Sequence, residues 1–140
     1  MPKRKTSKPG GRKRSRYPQT GYTIRASAWV EKDSELYLGG GRLMLLERLD
    51  KLGSIAAAAR SMRLTYRNAW LWIEAMNRLA PSPLVEKIAG GAGGGHAKLT
   101  QEGHNAIALY KELRKRLDEL LRQQSSYIDH NSGLPHIPTM

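Results

Sequence analysis

A chain of 140 residues is most simply one domain with tails, and 24 Lys/Arg against 12 Asp/Glu, a formal charge of +12, call for a polyanionic partner. With no cysteine there is no disulfide framework and no thiolate metal site. No run approaches the roughly 18 consecutive apolar residues of a membrane span, and the basic N-terminus lacks the apolar segment of a secretory signal. The expected compartment is therefore the cytoplasm, with no membrane partner.

Charge is concentrated at one end. Residues 1–16 hold eight Lys/Arg and no acid, leaving 16 basic residues against 12 acidic over the rest. Residues 1–21 mix these with Gly, Pro, Ser and Thr and offer almost nothing to bury, which predicts a disordered basic arm. From Tyr22 the pattern alternates, with Ile24, Ala26, Ala28 and Val30 on one face and Arg25, Ser27, Trp29 and Glu31 on the other. This predicts one half-buried strand, and 32–41, ending in three glycines, reads as a loop.

Leu43, Leu46 and Leu49 then recur at helical spacing, and Gly53 stands where a helix C-terminus wants glycine. Ser54 is a suitable N-cap for "IAAAARSM", a two-turn helix, and Thr65 for "YRNAWLWIEAMNRLA". In the latter Ala69, Ile73, Met76 and Ala80 form the apolar stripe, and Pro81 and Pro83 end it. "LVEKIA" and "HAKLT" read as two strands joined by a glycine-rich loop, a hairpin.

Thr100 is a third N-cap, for a helix from about Gln101 to Gln124 with Glu102 in its first turn. Along it Ala106, Tyr110, Leu113, Leu117, Leu120 and Gln124 follow a 4-3-4-3-4 heptad seam, longer than a small domain needs for its own packing. Tyr110, Leu113, Leu117 and Leu120 are the candidate homodimer contacts. Residues 125–140 have no periodicity and read as a loose tail.

Several chemistries are excluded. The glycine run Gly90–Gly95 is followed by His96, not by the Lys and Ser/Thr of a phosphate-binding Walker loop, and it lacks the strict dinucleotide spacing. The four histidines have no zinc-type spacing, and no nucleophile or zinc-protease motif is present. No catalytic residue, metal or cofactor is expected, and the chain does not read as an enzyme.

Helix, short helix, three-residue turn, longer helix, hairpin and long helix is instead the order of a winged helix-turn-helix. The fold class is mainly α with a small β component. Such an order lets the second helix of the motif enter the major groove while the hairpin touches flanking backbone. Arg60, Arg63, Lys87 and Lys98 then surround one surface as candidate phosphate contacts. Advancing about 100° per residue from Ala69 sets Arg67, Leu71, Glu74 and Arg78 opposite the core. Arg67 and Asn68, in the first turns, are the candidates for reading guanine and adenine edges. Leu71 is left between a thymine methyl contact and packing on the wing. Trp70 and Trp72 read as supports for core and wing.

Residues Gly53 to Tyr110 resemble the DNA-binding domain of the ModE family of molybdate-responsive transcription regulators, related to the LysR-type winged helix. The marks are "GSI", "TYRNAW", "EAMN", "LVEK", "GGAGGG" and "LTQEG". With the preceding strand and helix the likeness covers roughly residues 22–124. It implies a dimer on a palindromic operator, with Thr65, Tyr66, Arg67 and Asn68 at the DNA end of the recognition helix and the glycine tip along the DNA backbone. Phosphate positioning is then expected from Ser54, Arg60, Arg63, Lys87, Gly91, Gly93, Gly94, Gly95 and Lys98. Three departures stand out. The family's molybdate-binding C-terminal region is not in this sequence, so the expectation is a regulator without its own effector domain, with effector sensing left to a separate protein. Arg63 replaces the usual glycine of the turn, and the basic arm is outside the family pattern. The expected partner is double-stranded DNA, and the arm supports an alternative, an architectural or nonspecific nucleic-acid-binding protein that uses the arm as its main binder.

Overall fold

In the computed structural model, which describes residues 21–88 and 96–131, the first regular element is a hairpin rather than one strand. β1 (Val30–Lys32) pairs antiparallel with β2 (Glu35–Leu38), with a bulge between Val30 and Glu31. The predicted loop at 32–41 is thereby corrected. Asp33 and Ser34 both adopt positive φ, 50° and 66°, as a two-residue hairpin turn of the favoured hand requires. Gly39 caps α1 (Gly40–Leu52), so the other two glycines open a helix. Gly41 lies under Trp72, where an added Cβ would meet ring carbons at 3.4 Å.

The predicted strand from Tyr22 also needs correction. Residues 22–29 alternate in burial as expected, with Ile24, Ala26 and Ala28 half-buried and their neighbours exposed, but they pair with no strand. Side chains of a helix satisfy the extended backbone instead. Tyr22 N donates to Asp129 Oδ1 at 2.8 Å, Ile24 N to Ser125 Oγ at 2.9 Å, and Arg114 Nη1 to Ala26 O at 3.1 Å.

That helix is α4 (Gln101–Asn131), longer than expected: residues 125–131 are its last turns and not part of a loose tail. Ser125 and Asp129 lie one turn apart on the side that binds the extended segment, which gives the extra turns a partner. Thr100 caps its start, accepting from Gly103 N at 3.0 Å and donating to Pro83 O at 2.6 Å.

Between these ends lie α2 (Ile55–Ser61), α3 (Tyr66–Leu79) and a second hairpin, β3 (Val85–Lys87) antiparallel to β4 (Ala97–Leu99). Residues 28–111 form one compact unit; 21–27 and 112–131 belong to a second. The core of the first joins Leu45, Leu46 and Leu49 of α1 to Ile55 and Ala58 of α2 and Ala69, Ile73 and Met76 of α3, closed below by Leu84, Val85, Ala97 and Leu99. The small Ala58, Ala59 and Ala69 side chains let α2 and α3 approach closely. Three helices with a hairpin and a following long helix are the winged helix-turn-helix the sequence predicts. The basic arm at 1–20, the glycine run at 89–95, including Gly91, Gly93, Gly94 and Gly95, and residues 132–140 lie outside the described residues.

Candidate nucleic-acid interface

Both helices of the motif begin on side-chain caps. Ser54 Oγ accepts from Ala57 N at 3.2 Å, and Thr65 Oγ1 accepts from Asn68 N at 3.1 Å. Each cap satisfies one of the amide groups that a helix start leaves without an intrahelical partner. Thr65 and Ser54 each use one acceptor lone pair on the cap, and each hydroxyl retains its proton as a donor.

The turn between the helices is closed by a full Schellman motif. Arg63 N donates to Arg60 O at 3.2 Å and Leu64 N to Ala59 O at 2.9 Å. In that motif the residue after the cap takes the left-handed conformation, and Arg63 has φ 56°. An arginine therefore stands where glycine would be unstrained. Its side chain is exposed, as is that of Arg60 three residues before it.

Tyr66, Arg67 and Asn68 are all exposed in the first turn of α3, while Ala69, Ile73 and Met76 are buried. Leu71 is 47% exposed, on the outer face with Arg67. The far end of the same face is occupied: Arg78 makes a two-bond pair with Glu35 of β2, at 2.7 and 3.1 Å. The hydrogen bond holds the Glu35 carboxyl below its ordinary value and raises that of Arg78. Beside them Arg42 Nη1 donates to the carbonyls of Leu36 and Tyr37, and burial lowers the Arg42 pKa. Only the N-terminal part of the α3 face is left without such protein contacts among the contacts described.

The wing is set by pleat. Glu86 and Lys98 are directly opposed and exposed, on one face; Val85, Lys87, Ala97 and Leu99 share the other. Lys87 accordingly turns toward α3, its ammonium 3.7 Å from the centroid of the Trp70 ring. At the other end of β3, Asn77 Oδ1 accepts from Leu84 N at 2.8 Å and Val85 N at 3.1 Å, while Nδ2 donates to Val85 O at 3.1 Å. The second strand is tied to the first corner of the motif: Ala97 N donates to Gly53 O at 3.1 Å, and His96 bridges to Ser54.

Sequence reasoning missed Asn77 and Glu86. Asn is unfavourable inside a helix, and Asn77 sits beside the buried stripe, which marks it as a residue with a partner. Glu86 follows from the alternation of "LVEK", which places it on the face opposite Lys87. Trp70, read as a wing support, is found as one.

Tyr110 needs a correction. It is buried in its own unit, and its hydroxyl donates to Ala28 O at 2.8 Å, so it is a core residue there and not an exposed dimer contact. Leu113 and Leu120 are exposed, Leu117 is half-buried, and Leu109, one turn before Leu113, is exposed as well. Among the described residues no group of three or more His, Cys, Asp or Glu is placed to hold a metal, and no helix is long and apolar enough to cross a membrane.

These features define a winged helix-turn-helix. No protein-family model matches the chain. Individual proteins do: it is 36% identical over 104 residues to the molybdenum transport protein ModE of Azotobacter vinelandii, covering 74% of this chain and 38% of that one. It is 40% identical over 81 residues to the DNA-binding transcriptional dual regulator ModE of Escherichia coli, and 40% over 84 residues to the molybdenum-pterin-binding protein MopB of Rhodobacter capsulatus. A solved LysR family transcriptional regulator aligns over 57% of the chain at 21% identity with a TM-score of 0.45. The chain is a relative of the ModE proteins, and it spans 31–38% of the length of these three.

Proposed function

We propose that the protein is a sequence-specific, DNA-binding transcriptional regulator acting as a dimer on a palindromic operator. The observation that carries this reading is the capped, exposed N-terminal turn of α3, with Tyr66, Arg67 and Asn68 open beside Arg60 and Arg63. A helix end offering a fork of donors from arginine and an amide from asparagine has the chemistry of base-edge recognition, and Lys98 on the exposed wing face has that of phosphate positioning. The ModE relatives bearing regulator names support the same function. For the dimer, exposed Leu113 and Leu120, a heptad apart on α4, supply an apolar seam.

Selection of bound sequences from a random duplex pool tests the reading. A palindromic motif is the expected result; equal retention of all sequences, lost on deletion of residues 1–16, supports the architectural alternative instead. Arg67→Ala is expected to relax base preference by about 1–3 kcal/mol, and Lys98→Ala to weaken all sequences alike. Equal losses from Arg67→Ala on preferred and random duplexes overturn the readout role.

A further inference from the structure

The geometry points to Asn77 and Trp70 as positioning residues that set the pitch of the wing against the recognition helix, so that the phosphate contact of Lys98 depends on two side chains that touch no DNA. This rests on the DNA-binding reading of the same surface. β3 meets α3 at two points. Asn77 holds Leu84 and Val85 through three hydrogen bonds, and the Trp70 ring lies under the Lys87 ammonium. The spacings agree: seven residues of helix from Trp70 to Asn77 rise about 10.5 Å, and three residues of strand from Leu84 to Lys87 span about 10 Å. Strand and helix therefore run antiparallel in step, and the wing climbs toward the end of α3 that carries Arg67.

The chemistry at each point suits the task. One amide side chain answers two backbone donors and one backbone acceptor, which fixes the strand at its Asn77 end. The other strand is held at Gly53 and Ser54, and the contact of Lys87 with the Trp70 ring adds a tie between α3 and the far end of β3. Lys87 and Lys98 are both exposed, on opposite faces of the wing. Lys87, a candidate phosphate contact by sequence, is then a tie between wing and helix.

The test uses the full chain and a duplex chosen from the pool. The salt dependence of affinity is compared for wild type, Lys98→Ala, Asn77→Ala, Asn77→Asp, Trp70→Leu and Trp70→Phe, with circular dichroism showing which are folded at the assay temperature. Asn77→Ala and Trp70→Leu are expected to lower the logarithmic salt slope by about one unit, as Lys98→Ala does, and to leave the preference over a base-substituted duplex within about twofold of wild type. Trp70→Phe, which keeps a ring face, is expected to retain the slope. Asn77→Asp keeps the acceptor but sets an oxygen against Val85 O, and is expected to lower it. Combining Asn77→Ala with Lys98→Ala should lower it no further than Lys98→Ala alone, since one acts through the other. Faster amide exchange at Leu84 and Val85 in Asn77→Ala, without DNA, is expected too. A merely structural role lowers melting temperature and leaves the slope of the folded protein unchanged; that result, in Asn77→Ala, Asn77→Asp or Trp70→Leu, overturns the proposal. A wild type that binds no duplex overturns the DNA-binding reading along with it, whereas a binding wild type with unchanged variants overturns the positioning role alone.

Discussion

Glu86 and Lys98 face each other across the wing, directly opposed on its exposed side. An acid on a surface meant for a polyanion opposes binding and competes for the lysine, and an exposed cross-strand pair contributes only a few tenths to about 1 kcal/mol to the fold. Glu86→Gln is therefore expected to tighten duplex binding several-fold at low salt, with the gain shrinking as salt rises, and to change melting temperature little. A filter-binding or anisotropy titration across salt concentrations reads this. Unchanged or weakened binding would mean that this face of the wing looks away from the DNA.

Arg63 sets two requirements against each other. The Schellman turn puts it at φ 56°, where glycine carries no steric penalty. Arg63→Gly is expected to gain up to about 1 kcal/mol from relieved strain, partly offset by the greater freedom of glycine in the unfolded chain. Duplex affinity is expected to fall together with the salt slope, because the exposed guanidinium beside Arg60 is lost. Denaturant melts and binding titrations on the same samples separate the two effects. If stability and affinity rise together, the arginine serves neither backbone nor phosphate.

Much of this arrangement is legible in the sequence because caps and stripes are local. Ser54, Thr65 and Thr100 each cap as their residue type and place predict, and Gly53 has the left-handed φ of 71° that ends α1. The hairpin at Asp33 and Ser34 was hidden because its turn carries no glycine, yet aspartate is among the residues that tolerate that conformation. Alternation from Ile24 to Val30 correctly reports one covered face, but period two does not say whether a sheet or a helix covers it. The α4 side chains that accept or donate to residues 22–26 lie about a hundred positions away, beyond the reach of any local pattern. Asn77 was equally hidden in role, since its bonds depend on where two prolines return the chain.

Gly103 and Gly40 form a matched pair of helical glycines. A Cβ at Gly103 would collide with the Leu84 carbonyl oxygen and lie 3.3 Å from Leu99 Cβ, whereas one at Gly40 meets nothing within 4 Å. Gly103→Ala is expected to force α4 away from the base of the wing and to cost about 1–3 kcal/mol despite the better helix propensity of alanine. Gly40→Ala is expected to gain about 0.4–1 kcal/mol. Urea midpoints with equal slopes measure both, and a stable Gly103→Ala would show that α4 and the wing are not in the contact described.

The Glu35–Arg78 pair gives a pH dependence of known sign. Its hydrogen bond lowers the folded-state pKa of Glu35, so the contribution is fully present above the unfolded carboxylate value and is lost as pH falls through the lowered folded value. Both side chains are exposed and screened, so the effect is small. Thermal melts of wild type and Glu35→Gln are expected to differ at neutral pH and to converge on acidification below the carboxylate range. Divergence on acidification would reverse the sign and remove the pair as its cause.

Leu113 and Leu120 are where the proposed dimer through α4 is tested. Both are exposed, while Tyr110 is buried with its hydroxyl bonded to Ala28 O, so substitutions along the heptad seam should separate by position. Leu113→Asp with Leu120→Asp is expected to turn a dimer into a monomer in sedimentation equilibrium while leaving helicity intact, because the aspartates replace side chains already in solvent. Tyr110→Phe is expected to stay dimeric and to lose about 0.5–1.5 kcal/mol with its hydrogen bond to Ala28 O. Loss of dimer also halves the charge brought to an operator, so the double variant should bind full sites no better than half-sites. A wild type that sediments as a monomer at the concentrations used for binding would move the source of two-fold symmetry, if the selected operator has any, from this helix to the DNA.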